Sequence, residues 1–118
     1  MDKRLAAYLE AALWASTDLE GDPLDSRYSI YDFDPDSLKS ALKDVEDFFF
    51  RNADLIEKSG ADDAQTAHDF WLTRNRHGAG FWDRGYPDGI GNALTRAAHS
   101  YGSCDVFEHE GETGVYLQ

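Results

Sequence analysis

A single cysteine, Cys104, is all the thiol this chain carries, so no intrachain disulfide can staple it and no CxxC ribbon can hold a metal. A reducing cytoplasm fits that usage. Proline is scarce as well, and nowhere do about 18 apolar residues follow one another, so no membrane-spanning helix is expected. The N-terminal MDKRLAAYLEAALWAS joins a basic start to a short apolar stretch, but Glu10 interrupts it, which argues against a secretory signal. Basic residues are few: 11 Lys and Arg stand against 23 Asp and Glu, a formal net charge of -12. A chain so acidic repels polyanions, which disfavours direct binding of nucleic acid.

What the chain does have is apolar bulk. It is 42% hydrophobic and 14% aromatic, too rich for disorder despite its charge. At 118 residues it is expected to bury one core as a single domain, 1–118.

The apolar spacing predicts an α+β domain of four helices with a C-terminal β-hairpin. Leu5, Tyr8, Leu9, Ala12 and Leu13 recur at helical period over 3–16. A polar connection follows, in which YSIY (28–31) suggests a short extended segment. Asp34 as N-cap and Pro35 at the first helical position open a long helix over 35–59, closed by Gly60. Its inner stripe is Leu38, Leu42, Val45, Phe49 and Ile56. Asp62 with Gln65 reads as a capping box for a third helix over 63–75, with Ala64, Ala67, His68 and Trp71 facing inward. Five of the ten glycines lie between Gly78 and Gly91, which makes 76–89 a shaped loop. Ile90, Ala93, Leu94, Ala97 and Tyr101 mark a fourth helix over 89–101, closed by Gly102. Residues 104–117 read as a hairpin turning about Glu110, Gly111 and Glu112, with Phe107 and Val115 on one face.

Several motifs approach a known chemistry and fall short of it. DFDPD sets Asp32, Asp34 and Asp36 at alternate positions, as in an EF-hand, but Ser37 stands where that loop needs Gly and Lys43 where it needs a bidentate Glu. Helix capping explains Asp34 better. His68 and Asp69 resemble the pair of a metal-dependent phosphohydrolase, yet His77, His99 and His109 follow at no ligand spacing, so neither metal nor cofactor is expected. HGAG (77–80) lacks both the preceding strand and the Lys-Ser/Thr that a phosphate loop requires. No nucleophile elbow surrounds Ser100 or Ser103.

The run HDFWLTRNRHGAGFWDRG (68–85) is the one local reversal of charge, net +1 over 69–84. Trp71, Arg74, Asn75, Arg76, His77, Trp82, Asp83 and Arg84 form the candidate pocket, because aromatics interleaved with arginine can stack bases and hold phosphates. Within it His77 and Asp83 are the candidate acid and base of a hydrolytic reaction. The competing reading is structural: Trp71, Phe81 and Trp82 fill the core while Arg74 and Arg84 pair with acids such as Asp69 and Asp83. That reading is favoured. Elsewhere the acids concentrate, net -6 over 17–36 and net -5 over 44–63. Asp18, Glu20, Asp22, Asp25, Asp44, Asp47 and Asp54 are the candidate interaction surface, because spread carboxylates can imitate a run of phosphates.

AALWASTD, EGDPLDSRYSIYDF, the 68–85 motif, LTRAAHSYGS and the closing hairpin together resemble a family of small acidic proteins encoded by bacteriophages and related mobile elements. The likeness covers nearly the whole chain. It differs at Arg76, where the family usually has Gly. The family has no assigned catalytic or binding residue, so none is carried over. The resemblance implies a phage or prophage origin and the cytoplasm of a bacterial host. The expectation is therefore a non-enzymatic accessory protein that binds a host or defence protein, with the acids as a nucleic-acid mimic. Two alternatives stay open: binding of a small ligand, nucleotide or single strand, or a cryptic reaction, at 70–86; and a virion-associated structural protein acting through oligomerisation.

Overall fold

In the computed structural model, which describes residues 1–111 and 113–118, the three longest helices each begin on an aspartate. The Asp2 side chain accepts the Leu5 amide at 2.9 Å and α1 runs Lys3–Ala15. Its apolar stripe of Leu5, Tyr8, Leu9, Ala12 and Leu13 is buried, as the periodicity required. Asp34 accepts the Ser37 amide at 2.8 Å to open α2, Pro35–Arg51, with Pro35 at the first helical position. Asp62 does the same for Gln65 at the head of α4, Asp63–Arg74.

The helix expected over 35–59 is two helices. The Asn52 side-chain amide donates at 2.9 Å to the Phe48 carbonyl that its own backbone amide also reaches, and Asn52 leaves helical dihedrals at φ -115°, ψ 20°, so α2 stops at Arg51 and α3 restarts at Ala53–Ser59. Gly60, at φ +75°, closes α3 in the left-handed conformation that glycine tolerates. With α5 at Ile90–His99 the α-helices among the described residues number five rather than four. The YSIY segment is not extended either. Ser29 and Asp32 cap one another reciprocally, the Ser29 amide donating to Asp32 at 2.8 Å, and this winds Ile30–Asp32 into a 3₁₀ turn.

The hairpin forms between β1, Val106–Glu108, and β2, Val115–Leu117, in antiparallel register with Phe107 opposite Tyr116 and Glu108 opposite Val115. Phe107 and Val115 therefore lie on opposite faces, which corrects the expectation that they share one. Val115 is buried and Phe107 is exposed. Residue 112 of the expected turn lies outside the described residues. The hairpin sits on the start of α2, where the Val115 carbonyl accepts the Asp34 amide at 3.2 Å and Ser37 Oγ accepts the Leu117 amide at 2.8 Å.

The core is mainly aromatic. Phe48 of α2 stacks on Phe70 of α4 with ring centroids 4.1 Å apart and on Phe81 of the 3₁₀ turn Phe81–Asp83 at 5.8 Å. α1 lies along α4, and α5 packs on both α4 and the Phe81–Asp83 turn. That last approach depends on Gly91, where a Cβ would come within 2.8 Å of the Phe81 carbonyl oxygen. No helix among the described residues is long and apolar enough to cross a membrane.

Asp34 links the long helix to pH. The Ser37 hydroxyl and amide hold its carboxyl below the usual range, and His109, 3.2 Å away, adds to this. A folded value below the unfolded one of about 4 means that the cap stabilises above that pH and is lost as the pH falls through the folded value. Asp34→Ala should cost about 1 kcal/mol at pH 7 and flatten the loss of stability below about pH 4, read by denaturant unfolding at several pH values.

Candidate functional site

The 68–85 motif divides into residues that build the core and residues left outside it. Trp71 is buried on α4, against the edge of Tyr8. Arg74, 5% exposed, is the centre of the motif and of the molecule. Its Nε donates to the Gly102 carbonyl at 2.9 Å and its Nη2 to the Tyr101 carbonyl at 3.0 Å. Its Nη1 donates to Tyr8 Oη at 2.9 Å and to Asp44 Oδ2 at 2.8 Å. One planar fork thus joins α1, α2, α4 and the segment after α5. Burial pushes the Tyr8 phenol far above its ordinary range, so it stays neutral and accepts that bond.

Arg84 pairs with Asp69, as the structural reading expected. Its Nε and Nη2 reach the two carboxylate oxygens at 2.9 and 2.7 Å. Asp69 is fully buried, and Gln65 Nε2 supplies a third donor at 3.0 Å. Arg74, by contrast, pairs with Asp44 and not with Asp69 or Asp83. Asn75 ties the motif to the tail: its side chain donates to the Trp71 carbonyl at 3.0 Å and accepts the Cys104 amide at 2.7 Å. Gly80 is required by close packing, since a Cβ there would overlap Thr73 Oγ1 and the Trp82 ring.

Arg76 has a local explanation. The His77 amide donates to the Leu72 carbonyl at 2.9 Å and the Arg76 amide to the Thr73 carbonyl at 3.0 Å, which is the Schellman closure of α4. The residue at its centre must be left-handed, and Arg76 is the one non-glycine with positive φ, +54°, among the described residues. Arg76, His77, Trp82 and Asp83 face solvent, which corrects the expectation that Trp82 fills the core with Trp71 and Phe81: it is 43% exposed. Asp83 accepts the Gly80 amide at 3.3 Å, and the His77 ring lies 6.3 Å from Trp14, so each has a neighbour other than its expected acid–base partner.

The acidic residues also divide. Asp18 accepts the amides of Glu20 and Asp22 at 2.9 and 3.0 Å and the Arg27 guanidinium at 3.3 Å, with its side chain only 4% exposed. The Asp22 and Glu20 amides hold its carboxyl below the usual range. Asp18, Glu20 and Asp22 bring carboxylate oxygens within 4.8 Å of one another, but the oxygens of Asp18 are already engaged by its own loop. Asp44 is turned to Arg74, Asp47 to Arg51 and Tyr101, and Asp54 to Lys58. Glu20, Asp22 and Asp25 remain exposed on the connection after α1.

Beside that connection lies a cleft of about 550 Å³ that the motif search overlooked. Glu10 and Trp14 come from α1, Asp25, Tyr28 and Tyr31 from the connection, and His68 from α4. Trp14 is 54% exposed and Tyr31 77%. The His68 ring lies 5.6 Å from Trp14, and burial pushes its imidazole below its ordinary value, which keeps it neutral at pH 7. The signals for this cleft were Trp14, the one tryptophan outside the motif, and the paired tyrosines of YSIY.

Two neighbouring arginines give opposite expectations. Arg74→Lys keeps the charge but cannot hold four partners in one plane, and should lower stability by about 3 kcal/mol. Arg76→Gly removes the left-handed penalty, partly offset by glycine's chain entropy, and should raise stability by ~0.5–1 kcal/mol. Denaturant unfolding of both variants checks the pair.

Compared with family models, with curated proteins and with solved structures, the chain has no match, so the functional reading rests on its own residues.

Proposed function

We propose that this chain is a non-enzymatic accessory protein of phage or prophage type that binds a basic host or defence protein in the bacterial cytoplasm, its acidic surface standing in for a nucleic-acid backbone. One observation carries the reading: six of the protein's 11 Lys and Arg are turned to its own carboxylates. Arg4, Arg27, Arg51, Lys58, Arg74 and Arg84 are each held in an ion pair. With a formal charge of -12, most of the remaining carboxylates among the described residues are exposed, and they attract a basic partner at a distance in a way that salt weakens.

The alternative at 70–86 has less support. Of its eight candidate residues, Trp71 and Arg74 are core, Asn75 is hydrogen-bonded at both ends of its amide, and Arg84 is committed to Asp69. What remains outward, Arg76, His77, Trp82 and Asp83, offers no paired acid and base and a single arginine for a phosphate.

The test is a pull-down with the tagged chain from nuclease-treated bacterial lysate, eluted in turn by salt and by added duplex DNA. The reading expects a nucleic-acid-handling protein that is released by both. Capture indifferent to salt and to DNA, or no capture at either ionic strength, would overturn it.

A further inference from the structure

We propose that the cleft between α1, the 17–33 connection and α4 is an anchor pocket for an arginine side chain presented by a basic segment of the partner protein. This rests on the protein-binding reading above and names the site through which it acts.

The walls supply three kinds of contact that one side chain combines. Trp14 and Tyr31 expose aromatic faces at 54% and 77% accessibility, Tyr28 adds a third ring, and guanidinium groups stack on such faces. Glu10 and Asp25 put two carboxylates into the same cleft. Their forked geometry suits a guanidinium better than an ammonium, which binds as a point charge. The apolar rings can also cover the methylene stem of the entering residue.

The cleft equally disfavours the competing ligands. Neither Lys nor Arg is among the described residues that line it, so a nucleotide or a single strand would meet two carboxylates and no cation. His68 is the basic group that faces it from α4, and as a neutral imidazole it adds no positive charge. Arg27 stacks on the Tyr28 ring with its guanidinium 5.4 Å from the centroid, but directs its donors to Asp18 and Glu108. The protein thus places one arginine of its own on a cleft tyrosine. At about 550 Å³ the cleft also falls inside the ~300–1,000 Å³ usual for pockets that bury a small group.

The probe is a blocked Arg-Gly-Arg peptide, titrated into the full chain while the indole N–H resonance of Trp14 is followed by NMR. Its citrulline counterpart, equal in shape and uncharged, is the control. The proposal expects a saturable shift of Trp14 with the arginine peptide and none with the citrulline one. It also expects about fivefold weaker binding in Glu10→Gln/Asp25→Asn, since two exposed ionic contacts together contribute roughly 1 kcal/mol. Asp88→Asn/Asp105→Asn removes the same charge at exposed positions outside the cleft and should leave the affinity within twofold. Trp14→Ala, an exposed position whose melting temperature is measured alongside, should abolish the shift of the neighbouring Tyr31 ring resonances.

An unmoved Trp14, equal binding of citrulline, or equal weakening by both double variants would each overturn the pocket. The two proposals fail separately. If the salt- and DNA-sensitive partner is captured undiminished by Trp14→Ala, the acidic surface acts without the cleft. If nothing is captured by the unaltered chain although the peptide binds in the cleft, the pocket stands and the mimicry does not.

Discussion

The buried guanidinium of Arg74 is the constraint on which the rest of the structure depends. A charge taken out of water is tolerable only when its donors are satisfied, and here four acceptors converge from α1, α2 and the segment after α5. Because those acceptors come from sequence positions 8, 44, 101 and 102, the arginine can be satisfied only when all four segments have docked. The Phe70 and Tyr101 rings beside it, and Phe48 stacked on Phe70, are brought together by the same event. Hydrophobic burial supplies most of the driving force, and the guanidinium selects one arrangement among the ways of packing that many rings.

Local signals were legible where local chemistry decided the outcome. Asp34 with Pro35, Asp62 with Gln65, and Gly60 marked helix ends that the structure has, because a cap is a contact between residues three or four apart. Asn52 was not legible as a break, since Asn within a helix usually turns to solvent; here its amide reaches back to Phe48 and splits the helix in two. The parity of the hairpin was misjudged for a related reason. With strands of three residues, a shift of one position in the turn exchanges the faces, and the pairing of Glu108 with Val115 is set by the docking of β2 on Asp34 and Ser37.

The central motif builds core through Trp71 and Phe81 but not through Trp82, and its ion-pair partners were only partly foreseen. Arg84 finds Asp69 across fifteen residues. Arg74 finds Asp44 thirty residues upstream, and nothing in the composition of either neighbourhood singles out that pairing. The position of Arg76 shows what a local rule can still reveal. Its left-handed φ of +54° is one that glycine adopts freely and an L side chain does not, so this chain keeps the turn at a conformational cost. The cleft was invisible because its residues come from three segments. Its tryptophan reads in sequence as one more apolar position on the edge of an amphipathic helix.

The distribution of charge connects the core to the proposed binding. An arginine turned inward engages one acid and withdraws one cation from the surface, so Arg74 with Asp44, and in part Arg84 with Asp69, leave the net charge unchanged while they reduce the positive groups outside. An exterior on which carboxylates outnumber cations offers a polyanion little to hold, and it presents a basic partner with a predominantly negative field. Such a field accelerates encounter but discriminates poorly among basic surfaces, because it acts beyond contact distance and is screened within about 10 Å at ordinary salt. Selectivity has to come from short-range contacts that desolvate a particular side chain. Around the exposed connection that follows α1, the rings of Trp14, Tyr28 and Tyr31 beside Glu10 and Asp25 are the arrangement able to supply them.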